Sequence, residues 1–124
     1  MKGNSSLFNF GPGFNVDKIK YSENKMEGYL LNFNNIKGKS KAKFLKEILG
    51  YSSGDGKILH DEIIKEITGK VPKKTVNTEY GTKYEYDIKL GGKNGITAKI
   101  IVVFQNDNGK ETYRIITLYP GKKE

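Results

Sequence analysis

Cysteine is absent from this 124-residue chain. Its absence excludes a disulfide framework, a cysteine-ligated zinc site and a thiolate nucleophile, so stability has to come from packing. No apolar run approaches the roughly 18 residues that a membrane span requires. Lys2 is followed by GNSSLFNFGPGF rather than by the apolar stretch of a secretory signal. The expectation is a soluble chain with no membrane partner. Acidic residues are in deficit: 14 stand against 22 basic ones, all but one of them lysine, for a net charge of +8. Such an excess favours an anionic partner and says little about fold. Three fingerprints are also missing, G-x-x-x-x-G-K-[ST], G-x-G-x-x-G and H-E-x-x-H. Nucleotide hydrolases, dinucleotide enzymes and zincins therefore leave the field.

What is present suffices for one core. A chain of this length buries roughly two-thirds of the surface that its unfolded form exposes, and 35% hydrophobic residues place it among folded rather than disordered sequences. Residues 1 to 15 are rich in Gly, Asn and Ser with no sustained period, which predicts a linker or arm. Residues 16 to 124 are expected to form a single domain.

Helical spacing dominates the first half of that domain. Ser22 is a candidate cap for a helix whose Met26, Tyr29 and Leu30 share a buried face, ending near Asn34 and Asn35. Ser40 is a candidate cap for a second helix with the stripe Ala42, Leu45, Ile48 and Leu49, closed by Gly50 and Tyr51. A third helix, about Lys57 to Thr68, carries Leu59, Ile63, Ile64 and Ile67 and stops at Gly69. Beyond it the period becomes two: Tyr84, Tyr86, Ile88 and Leu90 alternate with Lys83, Glu85, Asp87 and Lys89. Ile96 to Gln105 is nearly continuous apolar sequence suited to a central strand, NDNG turns the chain, and Glu111 to Tyr119 returns. The prediction is α+β, with N-terminal helices packed on one face of a three-stranded antiparallel meander and the other face open for binding.

Three features could carry chemistry. Five lysines, Lys37, Lys39, Lys41, Lys43 and Lys46, fall within ten residues that contain no acid. They straddle a helix start, where backbone N–H groups already favour anions; the alternative is a solvated helix end. His60 alone has an ordinary pKa suited to proton transfer near neutrality, yet its wheel position among Leu59, Ile63, Ile64 and Ile67 fits a core histidine. Glu85, Asp87 and Lys89 form an E-x-D-x-K strand similar to that of Mg²⁺-dependent nucleases, without an evident second acid from another strand. A solvated strand of alternating charge accounts for it better. RNA cleavage fits what remains, because it needs no cofactor. A base for the ribose 2′-OH, an acid for the 5′ oxygen and cations around the phosphorane are enough.

Five stretches, KMEGYLLN from Lys25, KGKSKAKF from Lys37, LGY from Leu49, YGTKYEYDI from Tyr80 and TLYP from Thr117, occur here in this order. They resemble a family of small domains found beside antitoxins and as C-terminal toxin modules of bacterial surface and contact-dependent inhibition proteins. The arrangement is similar to the barnase, EndoU, colicin and RelE superfamily of toxin ribonucleases, with colicin D the nearest pattern. In colicin D lysines adjoin a catalytic histidine, and a hydroxyl residue stands two positions before an aromatic on a late strand. The resemblance implies catalytic roles for Lys39, Lys41, Thr117 and Tyr119, with RNA contacts from Lys37, Lys43, Lys46, Lys83 and Arg114. Ser40 stands where relatives often have histidine. Either His60 reaches the site, or Lys41 serves in the neutral form that crowded positive charge favours, or Tyr119 or another tyrosine takes the proton.

The resemblance thus implies a secreted or surface-delivered toxin endoribonuclease, needing no metal or cofactor, that cleaves tRNA in the target-cell cytoplasm to a 2′,3′-cyclic phosphate. Its partner would be an acidic immunity protein or antitoxin, the chain being otherwise monomeric. A Mg²⁺-dependent DNase using Asp87 and Lys89, and a non-catalytic RNA-binding module stacking bases on tyrosines, are the alternatives.

Overall fold

Ser22 opens the helical layer. In the computed structural model, which describes residues 15–121, its Oγ accepts the Lys25 backbone N–H at 3.2 Å. The expected arm, residues 1 to 15, falls outside the described residues apart from Asn15. Helix α1 (Glu23–Lys25) widens at once into a π turn, Met26–Leu30, in which the Leu31 N–H bonds to the Met26 carbonyl at 3.0 Å. Met26 and Leu30 are buried, whereas Tyr29 sits at the margin of the core. The helix stops at Leu30 rather than near Asn34, because asparagine side chains capture the backbone. Asn32 Oδ1 accepts the Asn34 N–H at 2.8 Å, and Asn35 Oδ1 accepts those of Lys37 and Gly38, both at 2.9 Å.

Helix α2 (Lys39–Leu49) is preceded by Gly38 as its cap, so Ser40 lies inside the first turn instead of before it. Ala42, Leu45 and Leu49 are buried as expected, but Ile48 is 44% exposed at the stripe's edge and Phe44 packs on the core in its stead. Gly50 takes the left-handed conformation (φ 80°) and the Tyr51 N–H returns to the Leu45 carbonyl. Helix α3 (Gly56–Ile67) buries Leu59, Ile63 and Ile67. Its start is held by Glu27, whose carboxylate accepts the Gly54 and Gly56 N–H groups at 2.8 and 2.6 Å.

The sheet has four strands, β1 (Lys74–Thr78), β2 (Gly81–Gly91), β3 (Thr97–Asp107) and β4 (Arg114–Pro120), antiparallel and in sequence order. The three-stranded expectation missed β1. That strand contains one large apolar residue, Val76, among Lys, Thr and Asn, and it is a mostly exposed edge, so it shows no hydrophobic alternation. Tyr84, Tyr86, Ile88 and Leu90 of β2 turn inward with Ile100, Val102, Phe104, Ile115 and Leu118 onto the helices. The protein is therefore α+β, its helices covering one face of an antiparallel meander.

A bulge shapes β4. Val103 pairs with Thr117 and Phe104 with Ile115, which leaves Ile116 as the extra residue. Ile115 and Leu118 are consequently both buried, and Thr117 and Tyr119 share the face away from the helices.

Candidate functional site

Strand β4 is an edge of the sheet, so its outer side chains can be met from the helical layer as well as from the open face. Two contacts do this. The Tyr29 hydroxyl lies 3.4 Å from Thr117 Oγ1, and the Lys41 ammonium stands 5.9 Å from the centre of the Tyr119 ring, at the outer reach of a cation–π contact. A second cation joins them, with Lys25 Nζ at 4.6 Å from the centre of the Tyr29 ring. One cluster thus gathers two ammonium groups, two phenols and a threonine hydroxyl around the β4 edge.

Local sequence explains how these side chains meet. The π turn widens the helix at Met26–Leu30, a feature frequent at functional sites, and Tyr29 lies within it. Gly38 then lies against Tyr29 so closely that a Cβ there would overlap the Tyr29 carbonyl and come within 3.0 Å of its ring. This approach fixes the start of α2 beside Tyr29 and so brings Lys41 to β4. Among the described residues no side chain caps α2, and its first-turn N–H groups and macrodipole add to the field of Lys41.

The remaining expected residues are distributed elsewhere. Lys39 is exposed, and two residues along a helix do not face one way; among the described residues no contact joins it to Thr117 or Tyr119. Lys37 lies exposed in the turn before α2 and Lys43 on its outer surface. Lys46 stands 5.5 Å over the half-exposed ring of Phe33. Lys83 is on the open face opposite Gln105. Arg114 is committed to Asp107 through two hydrogen bonds of 2.8 and 3.1 Å. This pairing, reinforced by Gln105, lowers the Asp107 pKa to about 2 and raises that of Arg114.

His60 belongs to the core. It is 5% exposed, packs edge-on against Tyr21 at 5.2 Å between ring centres, and its Nδ1 has no hydrogen-bond partner among the described residues. Burial, aided by Lys57, pushes its pKa down. None of its contacts is with Lys41, Thr117 or Tyr119, and its buried place matches the wheel's core position.

The E-x-D-x-K strand faces the open side, where Asp87 Oδ2 meets the Lys73 ammonium at 3.4 Å. Among the described residues no three metal-ligating side chains converge. Sequence reasoning missed Tyr29 and Lys25 as members of the site by counting Tyr29 as core. Their i, i+4 spacing within KMEGY was the available signal.

Fold and site together define a small α+β domain with a cationic, hydroxyl-bearing edge. The chain belongs to the DUF6883 family, described as a domain of unknown function, whose model matches residues 14–122. No curated protein and no solved structure matches the chain.

Proposed function

We propose that this domain is a metal-independent toxin endoribonuclease that acts at the β4 edge. The reading rests above all on the meeting of Lys41 with Tyr119, two residues beyond a threonine that is itself bonded to Tyr29. An ammonium beside hydroxyl groups, under an uncapped helix start, suits a phosphate that gains charge as it becomes a phosphorane. The excess of +8 suits a polyanionic substrate.

In this reaction the ribose 2′ oxygen forms a bond to phosphorus and the bond to the 5′ oxygen breaks. The 2′ proton travels to the departing 5′ oxygen by way of the Thr117 and Tyr29 hydroxyls. Lys41 neutralises the phosphorane oxygens and Tyr119 positions the nucleotide. Cleavage therefore needs no imidazole. The colicin D resemblance supplies tRNA as the substrate, and the producing cell would need an acidic immunity protein to cover the cationic edge.

The test is incubation of the purified domain with total RNA in EDTA, followed by mapping of the cut ends. Discrete tRNA fragments ending in a 2′,3′-cyclic phosphate, lost in Lys41→Ala, are expected. Cleavage that EDTA abolishes would move the activity to a metal-dependent mechanism. Salt-sensitive RNA binding with no product would leave a binding module.

A further inference from the structure

Phe33 stands 43% exposed in the loop between the π turn and α2, in the wall of a cavity of about 410 Å³. Glu27, Asn34, Ala42, Lys46 and Ser53 share that wall. We infer that the cavity is a nucleotide subsite, in which a base of single-stranded RNA stacks on Phe33 and its phosphate meets Lys46. The inference rests on the ribonuclease reading for the identity of the polymer, but none of its residues belongs to the β4 cluster.

The ring is held in position before any ligand arrives. Asn32 and Asn35, on either side of it in the chain, donate side-chain N–H groups to the Gly28 carbonyl at 3.3 and 3.0 Å, and Asn32 Oδ1 accepts the Asn34 N–H at 2.8 Å. A loop fixed in this way loses little freedom on binding. Among the described residues Phe33 takes no part in the core cluster, so packing of the core does not account for an aromatic at this place. The cavity falls within the range of small-ligand sites, roughly 300–1,000 Å³.

A nucleotide joins a flat π surface to an anion, and the cavity offers the complement of both. Lys46 Nζ lies 5.5 Å over the Phe33 ring centre, so a base stacked on that ring brings its own phosphate towards the ammonium. Lys39 and Lys43 are exposed on the same face of α2 and extend the cationic wall. Glu27, the acid of the cavity, is already engaged by the Gly54 and Gly56 N–H groups at 2.8 and 2.6 Å and by the Ser53 hydroxyl at 3.5 Å. Lys41 of the β4 site and Lys46 are separated by about 140° around α2 and about 7.5 Å along it. The two sites therefore flank one helix, on the order of 12 Å apart, within reach of one short run of nucleotides. An acidic polypeptide carrying an aromatic side chain has similar chemistry, but the place beside the β4 site favours the polymer bound there.

The experiment measures binding of a fluorescein-labelled, fully 2′-O-methylated RNA 12-mer, which has no 2′ nucleophile, and of an abasic strand of equal length, as a function of salt. Stacking on an aromatic side chain makes Phe33→Ala bind the base-bearing strand roughly 5- to 100-fold more weakly, with the salt slope unchanged and the abasic strand unaffected. Phe33→Leu, which keeps the apolar bulk without the ring, should show the same selective loss with a wild-type Tm. Lys46→Ala should lower the slope of log K against log salt by about 0.7 on both strands. Ile36→Ala, which trims an apolar side chain 96% exposed on the same loop, is the control and should change neither. Equal weakening of the two strands by Phe33→Ala, no weakening, no binding by the wild type, or a Glu/Tyr copolymer that alone depends on Phe33 would overturn the inference. Cleavage of natural tRNA by the wild-type protein is scored in parallel. Cutting without base-selective loss in the Phe33 variants sinks the subsite alone, whereas that loss without cutting sinks the ribonuclease reading alone.

Discussion

Gly38 lies directly against the backbone carbonyl of Tyr29, with no room between them for a side chain. The start of the lysine-bearing helix and the π turn are thereby held together through backbone, which is stiffer than any contact through flexible side chains. Gly38→Ala is expected to cost about 1–3 kcal/mol, the usual range for overpacking, and to lower activity further than the lost stability explains, because Lys41 shifts relative to Tyr119. Urea denaturation and cleavage measured on the same preparation check both parts. A variant as stable and active as the wild type would show that the approach is not needed.

Lys41 and Lys39 should part company. Loss of a positioned charge-stabilising donor costs about 10²–10³ in rate, so Lys41→Ala is expected to fall by that order and Lys39→Ala to stay within a few-fold of wild type. Surface substitutions of this kind change stability by about 0.5 kcal/mol or less, so thermal melts should superimpose. Equal losses in the two variants would mean that the helix start acts as a diffuse field.

Tyr29→Phe and Thr117→Val remove the two hydroxyls of one hydrogen bond. Proton transfer through a positioned group contributes about 10²–10⁴, so each single variant should lose that much. Groups acting as a unit are strongly non-additive, so the double variant should be about as slow as either single one. Fully multiplicative losses would separate the two roles.

His60 gives the fold a pH dependence distinct from that of catalysis. Its folded pKa is depressed below 6.5 by burial, so the unfolded chain binds the proton more tightly. Stability is therefore fully present above pH 6.5 and declines as the pH falls below it towards the folded value. Chemical denaturation at pH 7 and pH 5 should show this decline, and His60→Phe, which preserves the ring against Tyr21, should flatten it. Activity at pH 7 should survive that substitution.

Much of the fold was legible because local pattern and tertiary role agree. Ser22 caps where a serine before an apolar spacing should, Gly50 adopts the left-handed stop, and the tyrosines of β2 face inward at their period of two. The wheel also marked His60 as core. Strand β1 was invisible because an exposed edge needs no apolar alternation. The site was harder to read. Lys41 and the Thr-x-Tyr pair were visible as residue types, but only folding shows that Gly38 and the π turn bring Tyr29 to Thr117. That Lys39 and Lys41 diverge was available from helical geometry alone.

Ile116 is the extra residue of the last strand. Upstream of it, Tyr113 is tied by backbone hydrogen bonds to Lys18 and Lys20, and downstream the chain must present Thr117 and Tyr119 outward while Leu118 stays in. Deleting that single residue would make Ile115 and Thr117 neighbours opposite Phe104 and Val103, so that the bend is lost but every side chain of the strand keeps its face. The middle of a strand that otherwise looks ordinary is accordingly where this domain can shed one residue without turning any side chain over.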